Sequence, residues 1–287
     1  MKKKHLLVCL AIAIAAVSCN NEVPGNEKVI NIEASITPQS RAPQLGTDGS
    51  GSFSDDDVMS LFISNSENAN VALDYKYGTG FITWNSIGFE EQFPSVMVAA
   101  CYPKQSNIQN GNFEFNVLSA PDKDLLLAPQ QSVKVGTSET VHLTFSHAMH
   151  KLDLSFTLGN GYSEKDISSL SLKINAKTTC VVDGVKGVIK EVKDNVEQYY
   201  STKANPSFYL VPQSTSGVVM NINIGGESKS ISLDELLNQL GKPQEKIEGG
   251  KYTSLKLKIN RNGITVEGGS IGGWENQVTA DGEVVIG

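Results

Sequence analysis

The sequence predicts an all-β protein of two antiparallel β-sandwich domains with one or two short helices. Three observations predict it. Apolar and polar residues alternate at a period of two in run after run, which marks strands with one dry face. Turn dipeptides ending in glycine separate many of these runs. The chain has 287 residues, 39% apolar and 19% charged, which is ordinary globular material and enough for one large or two moderate domains.

The elements follow in order from a leader. Lys2, Lys3 and Lys4 form a positive region, Leu6 to Val17 form an apolar stretch too short to cross a bilayer as a helix, and small residues lead up to Cys19. Residues 1–18 therefore read as an export signal. Ala16-Val17-Ser18-Cys19 resembles a bacterial lipobox, in which Cys19 becomes a lipidated N-terminus; the other reading is an ordinary signal peptide with a chance cysteine. The lipid would hold the chain to a membrane through buried CH₂ groups at about 0.8 kcal/mol each. Cys9 leaves with the leader, and Cys101 and Cys180, in different halves of the chain, read as buried single thiols rather than a disulfide. The formal charge is -7 with no clustered Arg/Lys stripe, so nucleic acid is not an expected partner.

Residues 19–56 combine two opposite characters. Within "VINIEASI", Ile30, Ile32, Ala34 and Ile36 alternate against Asn31, Glu33 and Ser35, a strand with one dry face. Residues 37–56 are rich in Pro, Gly, Ser and Asp and read as an exposed loop with a single arginine, Arg41. A strand joined to its domain only through such a loop can be cut free.

The first sandwich takes residues 57–147. "SVMVAACY" is apolar on both faces and suits a central strand, and Val141, Leu143, Phe145 and His147 alternate inward. Ala148-Met149-His150 breaks that register and suggests a domain boundary near residue 147, leaving 148–287 for a second sandwich. Its strands show in Leu152, Leu154, Phe156 and Leu158; Leu170, Leu172 and Ile174; Val218, Met220, Ile222 and Ile224; and Leu255, Leu257 and Ile259. Asn160-Gly161, Asp183-Gly184, Asn262-Gly263 and Asp281-Gly282 favour hairpins. One helix is well marked: Ser232 and Glu235 make a capping box, Leu233, Leu236, Leu237 and Leu240 form the apolar stripe, and Gly241 and Pro243 end it.

Several motifs suggest chemistry and fail on context. Gly268-Gly269-Ser270-Ile271-Gly272 fits the nucleophile pattern G-x-S-x-G, but Gly272-Gly273-Trp274 cannot open a helix and no histidine follows residue 150. The glycines read instead as turn geometry, with Trp274 covering a sandwich end. His142, His147 and His150 sit on one strand and its bend and do not converge as metal ligands, so a core histidine bonded to backbone is the expected state. Asp55, Asp56 and Asp57 lack the glycine and distal glutamate of an EF-hand loop and read as a solvated turn. Trp84 and Trp274 read as core and corner aromatics rather than a sugar platform. No cofactor, metal or catalytic residue is expected, and the chain is not expected to be an enzyme.

"DDDVMSLFI", "YGTGFITW", "LLLAPQQSV", "VHLTFSHAMHKLDLSF" and "GGKYTSLKLKINRNGITVEGGSIGGWEN" together resemble the fimbrillin-like proteins, the type V pilins of Gram-negative anaerobes. The resemblance covers nearly all of the mature chain in the family's order. It implies two transthyretin-like sandwiches, export as a lipoprotein to the outer membrane, cutting by an arginine-specific protease, and polymerisation with other pilin subunits by strand exchange at the cell surface. Cys19 matches the family's lipidated cysteine, and Arg41-Ala42 in "SRAP" its cleavage site. Some members keep the first strand and serve as anchors, tips or accessory subunits.

The assembly step also follows from physics. Losing residues 29–36 would empty a groove that held Ile30, Ile32 and Ile36, each worth about 1.5–3 kcal/mol when fully buried, and would bare a row of backbone groups. A strand from a second subunit could fill it, and repetition without closure gives a filament. The C-terminal "NQVTADGEVVIG", with Val278, Val284 and Ile286, is the donor candidate; the alternative is a local hairpin at Asp281-Gly282. A permanently lipidated surface module that recognises glycan or host protein stands as the other reading of the whole chain.

Overall fold

A strand that is apolar on both faces belongs in the middle of a covered sheet, and one that alternates belongs between a core and water. The computed structural model describes residues 28–37, 53–67, 69–88, 93–120 and 122–273. The first half contributes β1 (Ile32–Ile36), β2 (Val58–Ser64), β3 (Asn70–Lys76), β4 (Ser95–Tyr102), β5 (Asn112–Asn116), β6 (Leu126–Lys134) and β7 (Val141–His147). A single helical turn, α1 (Trp84–Ile87), follows β3; the Thr83 hydroxyl caps its start, and Gly88 ends it in the left-handed conformation. Six strands form one sheet in the order β1-β7-β6-β4-β2-β3, which puts the doubly apolar β4 inside, as its sequence predicts.

Both faces of that sheet are dry. Met59, Leu61, Val98, Leu143 and Phe145 pack with Phe53, Ile82 and Trp84 on one side. Phe62, Ala99, Cys101 and Leu127 point to the other, where the cover comes from later in the chain.

The second half continues with β8 (His150–Leu158), β9 (Ser171–Lys177), β10 (Thr179–Asp183), β11 (Val188–Val192), β12 (Val196–Ser201) and β13 (Ser207–Leu210). It ends with β14 (Gln213–Ser214), β15 (Val219–Ile224), β16 (Glu227–Ser232), β17 (Lys246–Ile247), β18 (Lys251–Asn260) and β19 (Gly263–Gly273). Helices α2 (Glu164–Ile167) and α3 (Leu233–Gln239) interrupt it. Two four-stranded sheets, β12-β9-β15-β16 and β13-β8-β18-β19, form a sandwich. Leu172, Ile174, Met220 and Ile222 from the first meet Leu152, Leu154, Leu255 and Leu257 from the second in one buried cluster. α3 starts at the predicted capping box, Ser232 N–H donating to the Glu235 carboxylate at 3.0 Å, and buries Leu233, Leu236 and Leu237.

A three-stranded sheet, β11-β10-β5, joins the halves. β5 lies before residue 147 but pairs with β10 beyond it, Phe113 opposite Val182 and Phe115 opposite Cys180. This sheet covers the second face of the six-stranded one, with Phe62 and Phe113 stacked at 6.1 Å. Cys101 and Cys180 are free thiols in that shared core, and burial pushes both up to about 12.

The structure departs from the sequence reading in four places. Among the described strands two pairings are parallel, β1 with β7 and β8 with β18, and the others are antiparallel. The described residues hold three short α-helices and a 3-10 turn, Thr215–Gly217, where the pattern marks one or two short helices. Asn160-Gly161 leads not into a hairpin but into α2, because Ser163 and Asp166 form a second capping box just beyond it. Gly268, Gly269, Gly272 and Gly273 continue β19 instead of turning a corner. A Cβ on Gly269 would stand 2.4 Å from the Ser254 carbonyl, so the glycine there serves close strand approach.

Candidate functional site

The N-terminal strand is built as its alternation requires. Glu33 and Ser35 of β1 are exposed, while Ile32, Ala34 and Ile36 are half-buried against the core. Ile30, just before the strand, is only 4% exposed and packs in the cluster that holds Ile82, Trp84, Val141 and Phe145. β1 runs parallel to β7 with Ile32 opposite Val141, Ala34 opposite Leu143 and Ile36 opposite Phe145. Among the described residues it is an edge strand, bonded within the sheet to β7 alone.

Both ends of the segment are tied by backbone. Ile30 N–H donates to the Ile82 carbonyl at 2.8 Å and Trp84 N–H to the Lys28 carbonyl at 3.0 Å. Thr37 N–H donates to the Phe145 carbonyl at 2.8 Å, and its hydroxyl to the same oxygen at 3.0 Å. On the wet face Glu33 and His142 pair at 3.0 Å between two well-exposed side chains. The chain resumes at Phe53, whose ring lies 4.9 Å from Phe145 and 5.3 Å from Tyr102. Residues 28–37 thus fill a slot whose walls belong to other segments.

Beside β1 lies a cleft of about 440 Å³ lined by Ile30, Ile32, Glu33, Tyr75, Tyr77 and Gly80, among others. β1 and β3 are opposite edges of the six-stranded sheet, yet residues at both line this space. The sheet therefore coils until its two edges approach. Among the described residues no strand pairs with the other edge of β1.

The remaining sequence candidates are dispersed. Ser270 sits within β19, which continues as strand to Gly273, and its hydroxyl lies 3.2 Å from the Tyr252 phenol. His142 is on the wet face, whereas His147 points inward and is bonded to buried Asp124. Burial pushes the Asp124 carboxyl above its ordinary range while the His147 bond pulls it down. His150 is buried, its Nδ1 3.0 Å from the Glu248 carbonyl and its Nε2 3.0 Å from the Thr253 hydroxyl, and burial lowers it to about 4. It is therefore a neutral core imidazole with Nδ1 donating. Asp56 and Asp57 lie in a turn, Asp56 held by Lys76 at 2.7 Å and Asp57 accepting from the Tyr102 hydroxyl at 3.1 Å. Trp84 is fully buried and donates to the Thr137 carbonyl at 3.1 Å. Among the described residues no three His, Cys, Asp or Glu side chains group as a metal site, and no helix is long and apolar enough to cross a membrane. Cys19, Arg41, Ala42, Trp274, Val278, Val284 and Ile286 lie outside the described residues.

The family model described as fimbrillin-like matches residues 41–274. The chain belongs to the fimbrillin-like family. The fold of this fimbrillin-like chain is shared by solved structures at low identity. A proposed cell adhesion protein of Bacteroides uniformis superposes with a TM-score of 0.64 at 16% identity, covering 86% of this chain and 100% of its own. A second, from Bacteroides ovatus, gives 0.59 at 17% identity over 86% and 98%. A proposed adhesin of Bacteroides thetaiotaomicron gives 0.54 at 9% identity over 88% and 98%. No curated protein sequence matches. A fimbrillin-like chain is a structural subunit and not an enzyme, in keeping with the placement of Ser270.

Sequence reasoning missed the Asp124–His147 pair, the Ile82 and Trp84 partners of residues 28–30, and the approach of β3 to β1. Alternation assigns a side chain to a face and is silent on which distant segment lies beside it.

Proposed function

We propose that this chain is a fimbrial subunit, exported as a lipoprotein precursor with lipid on Cys19 and assembled at the outer surface for cell adhesion. In this reading an arginine-specific protease cuts between Arg41 and Ala42, β1 leaves, and a strand of a neighbouring subunit takes its slot. The tail with Val278, Val284 and Ile286 is the donor. The division at residue 147 then separates the unit that loses β1 from the unit that carries the tail. The observation that carries the reading is the placement of β1: an edge strand whose apolar side chains pack half-buried against the core behind buried Ile30, joined to the rest only through residues 38–52. Once that connection is cut, only non-covalent contacts hold it, and an equivalent strand can replace each of them.

The test has two parts. Surface-extracted protein should begin at Ala42 by mass spectrometry and form SDS-resistant ladders, and Arg41→Ala or deletion of 275–287 should abolish the ladders. Ladders that survive both changes sink the proposal. An intact β1, tied at both ends with Ile30 buried, is also what a permanently lipidated anchor, tip or binding subunit would keep. A mature N-terminus at lipidated Cys19 identifies that second role.

A further inference from the structure

A second cleft lies in the other half of the molecule. Among the described residues, β12 is the outermost strand of one sheet of the second sandwich and pairs only with β9, and β13 is the outermost strand of the other and pairs only with β8. Between them is a space of about 440 Å³, within the size range of small-molecule sites. The 202–206 loop joining the two strands lines it, as do Val117, Leu118 and Lys123 from the first half.

Its walls combine three features. The first is aromatic: Tyr200 is 61% exposed, an unusual amount of ring surface to hold in water, and Phe208 and Tyr209 stand nearby. The second is an uncommitted donor. Tyr199 is only 5% exposed, packs edge-on against Phe208 at 6.0 Å, and its hydroxyl has no partner among the described residues. Burial raises this phenol above its ordinary range, so it keeps its proton. Buried hydroxyls without partners are rare in native proteins and call for an explanation.

The third feature is charge. The chain carries more acid than base, yet the pocket lining includes Lys123 and Lys203 and no carboxylate. Lys123 donates to the Leu118 carbonyl, whereas Lys203 has no carboxylate partner among the described residues. Of the nearby acids, Asp153 is engaged with the Ser207 hydroxyl and Lys151 and Asp124 with His147, while Asp122, among the described residues, accepts only from the Asp124 N–H at 3.2 Å and lies outside the lining.

We propose that this pocket binds a sugar bearing a carboxylate, with a ring face on Tyr200 and the carboxylate on Lys203. An acidic sugar presents an apolar ring face, hydroxyls able to accept from Tyr199 and Asn205, and one anionic group for a charge-assisted bond, and so matches all three features. The site gives a fimbrial subunit a ligand class to adhere to. No residue of β1 or β7 lines it, so this proposal and the assembly reading can each fail alone.

The test titrates the purified full chain with glucuronic acid, with sialyllactose, with lactose as the neutral control and with an extended apolar hexapeptide, read by amide chemical shifts and calorimetry. At least one acidic sugar should bind with shifts confined to residues 117–123 and 198–209, and the two acids separate a uronic from a sialic source. Lys203→Ala should weaken the acidic sugar about tenfold and leave lactose unchanged, while Tyr200→Ala should weaken every sugar that binds. Both side chains are at the surface, and an unchanged melting temperature verifies that the variants fold. No shift with either acid at millimolar concentration, full affinity in both variants, or binding by the peptide alone would overturn the proposal.

Discussion

Ile30 is the side chain that does most to keep the N-terminal strand in place. It is the one fully buried apolar residue of the segment, whereas Ile32, Ala34 and Ile36 are half-buried. Ile30→Ala should therefore cost about 2–4 kcal/mol in urea unfolding, and Ile36→Ala about 1 kcal/mol. Equal costs would mean the strand is held by its backbone ladder instead. The Glu33–His142 pair, with both partners well exposed, adds little beside these, since surface pairs are screened and lose side-chain entropy. His150 governs pH. Its folded value of about 4 lies below the ordinary 6.5, so the unfolded chain takes up the proton first. Its contribution is present above pH 6.5 and is lost as pH falls towards 4, a difference on the order of 3 kcal/mol. Asp124, raised by burial, acts with the opposite sign: its contribution is present below 3.8 and is lost as pH rises. The informative measurement is thus the difference between the wild type and His150→Gln from pH 7 to pH 4.5, where the variant should lose less stability on acidification.

The secondary-structure elements differ in how far their own sequence specifies them. α3 is the clearest: Ser232, Glu235 and the leucine stripe state its start, its face and its end, and the fold contains all three. Ser232→Ala should cost about 1 kcal/mol of global stability, because the capping box loses the Ser232 hydroxyl, which donates to the Glu235 carboxylate at 2.9 Å. A denaturant midpoint unchanged by that substitution would show that packing of Leu233, Leu236 and Leu237 alone suffices. Strand faces were equally legible. Leu152, Leu154 and Phe156 of β8 are buried, as are Leu172 and Ile174 of β9 and Leu255, Leu257 and Ile259 of β18. Neighbours were not legible. β1 and β7 both alternate, but nothing in either says that they pair in parallel, since that depends on a crossover built by all the strands between them. α1 and α2 escaped because one helical turn is too short to show a period of 3.6. The dry face of β1 could be read from residues 30–36, while the walls of its slot, from Ile82 to Phe145, come together only in the fold.

At the level of the complete molecule, the central fact is that the two halves share a core. Phe62, Ala99 and Cys101 of the six-stranded sheet belong to the same buried cluster as Leu172, Met220 and Leu257 of the second sandwich. The link is the β11-β10-β5 sheet. Gly184 N–H donates to the Gly111 carbonyl at 2.8 Å, Gln130 N–H to the Lys186 carbonyl at 3.1 Å, and the β10–β11 turn presses so closely on β6 that a Cβ on Gly187 would stand 2.3 Å from the Ala128 carbonyl. A junction this dry transmits strain and does not open like a linker. Were the chain drawn along a fibre, the shared core would make the two halves one mechanical body. Two outcomes follow. A fragment of residues 148–287 lacks β5, leaves one edge of β10 unpaired and Cys180 and Val182 uncovered, and should not fold cooperatively alone. In the full chain, Phe113→Ala should remove about 3–5 kcal/mol, by deleting the ring stacked on Phe62, and should lower the unfolding midpoint of probes in both halves together. Calorimetry with separate reporters near Trp84 and in α3 distinguishes the cases: one shared transition that shifts as a unit fits a fused core, and two transitions, of which only one responds to Phe113→Ala, would refute it.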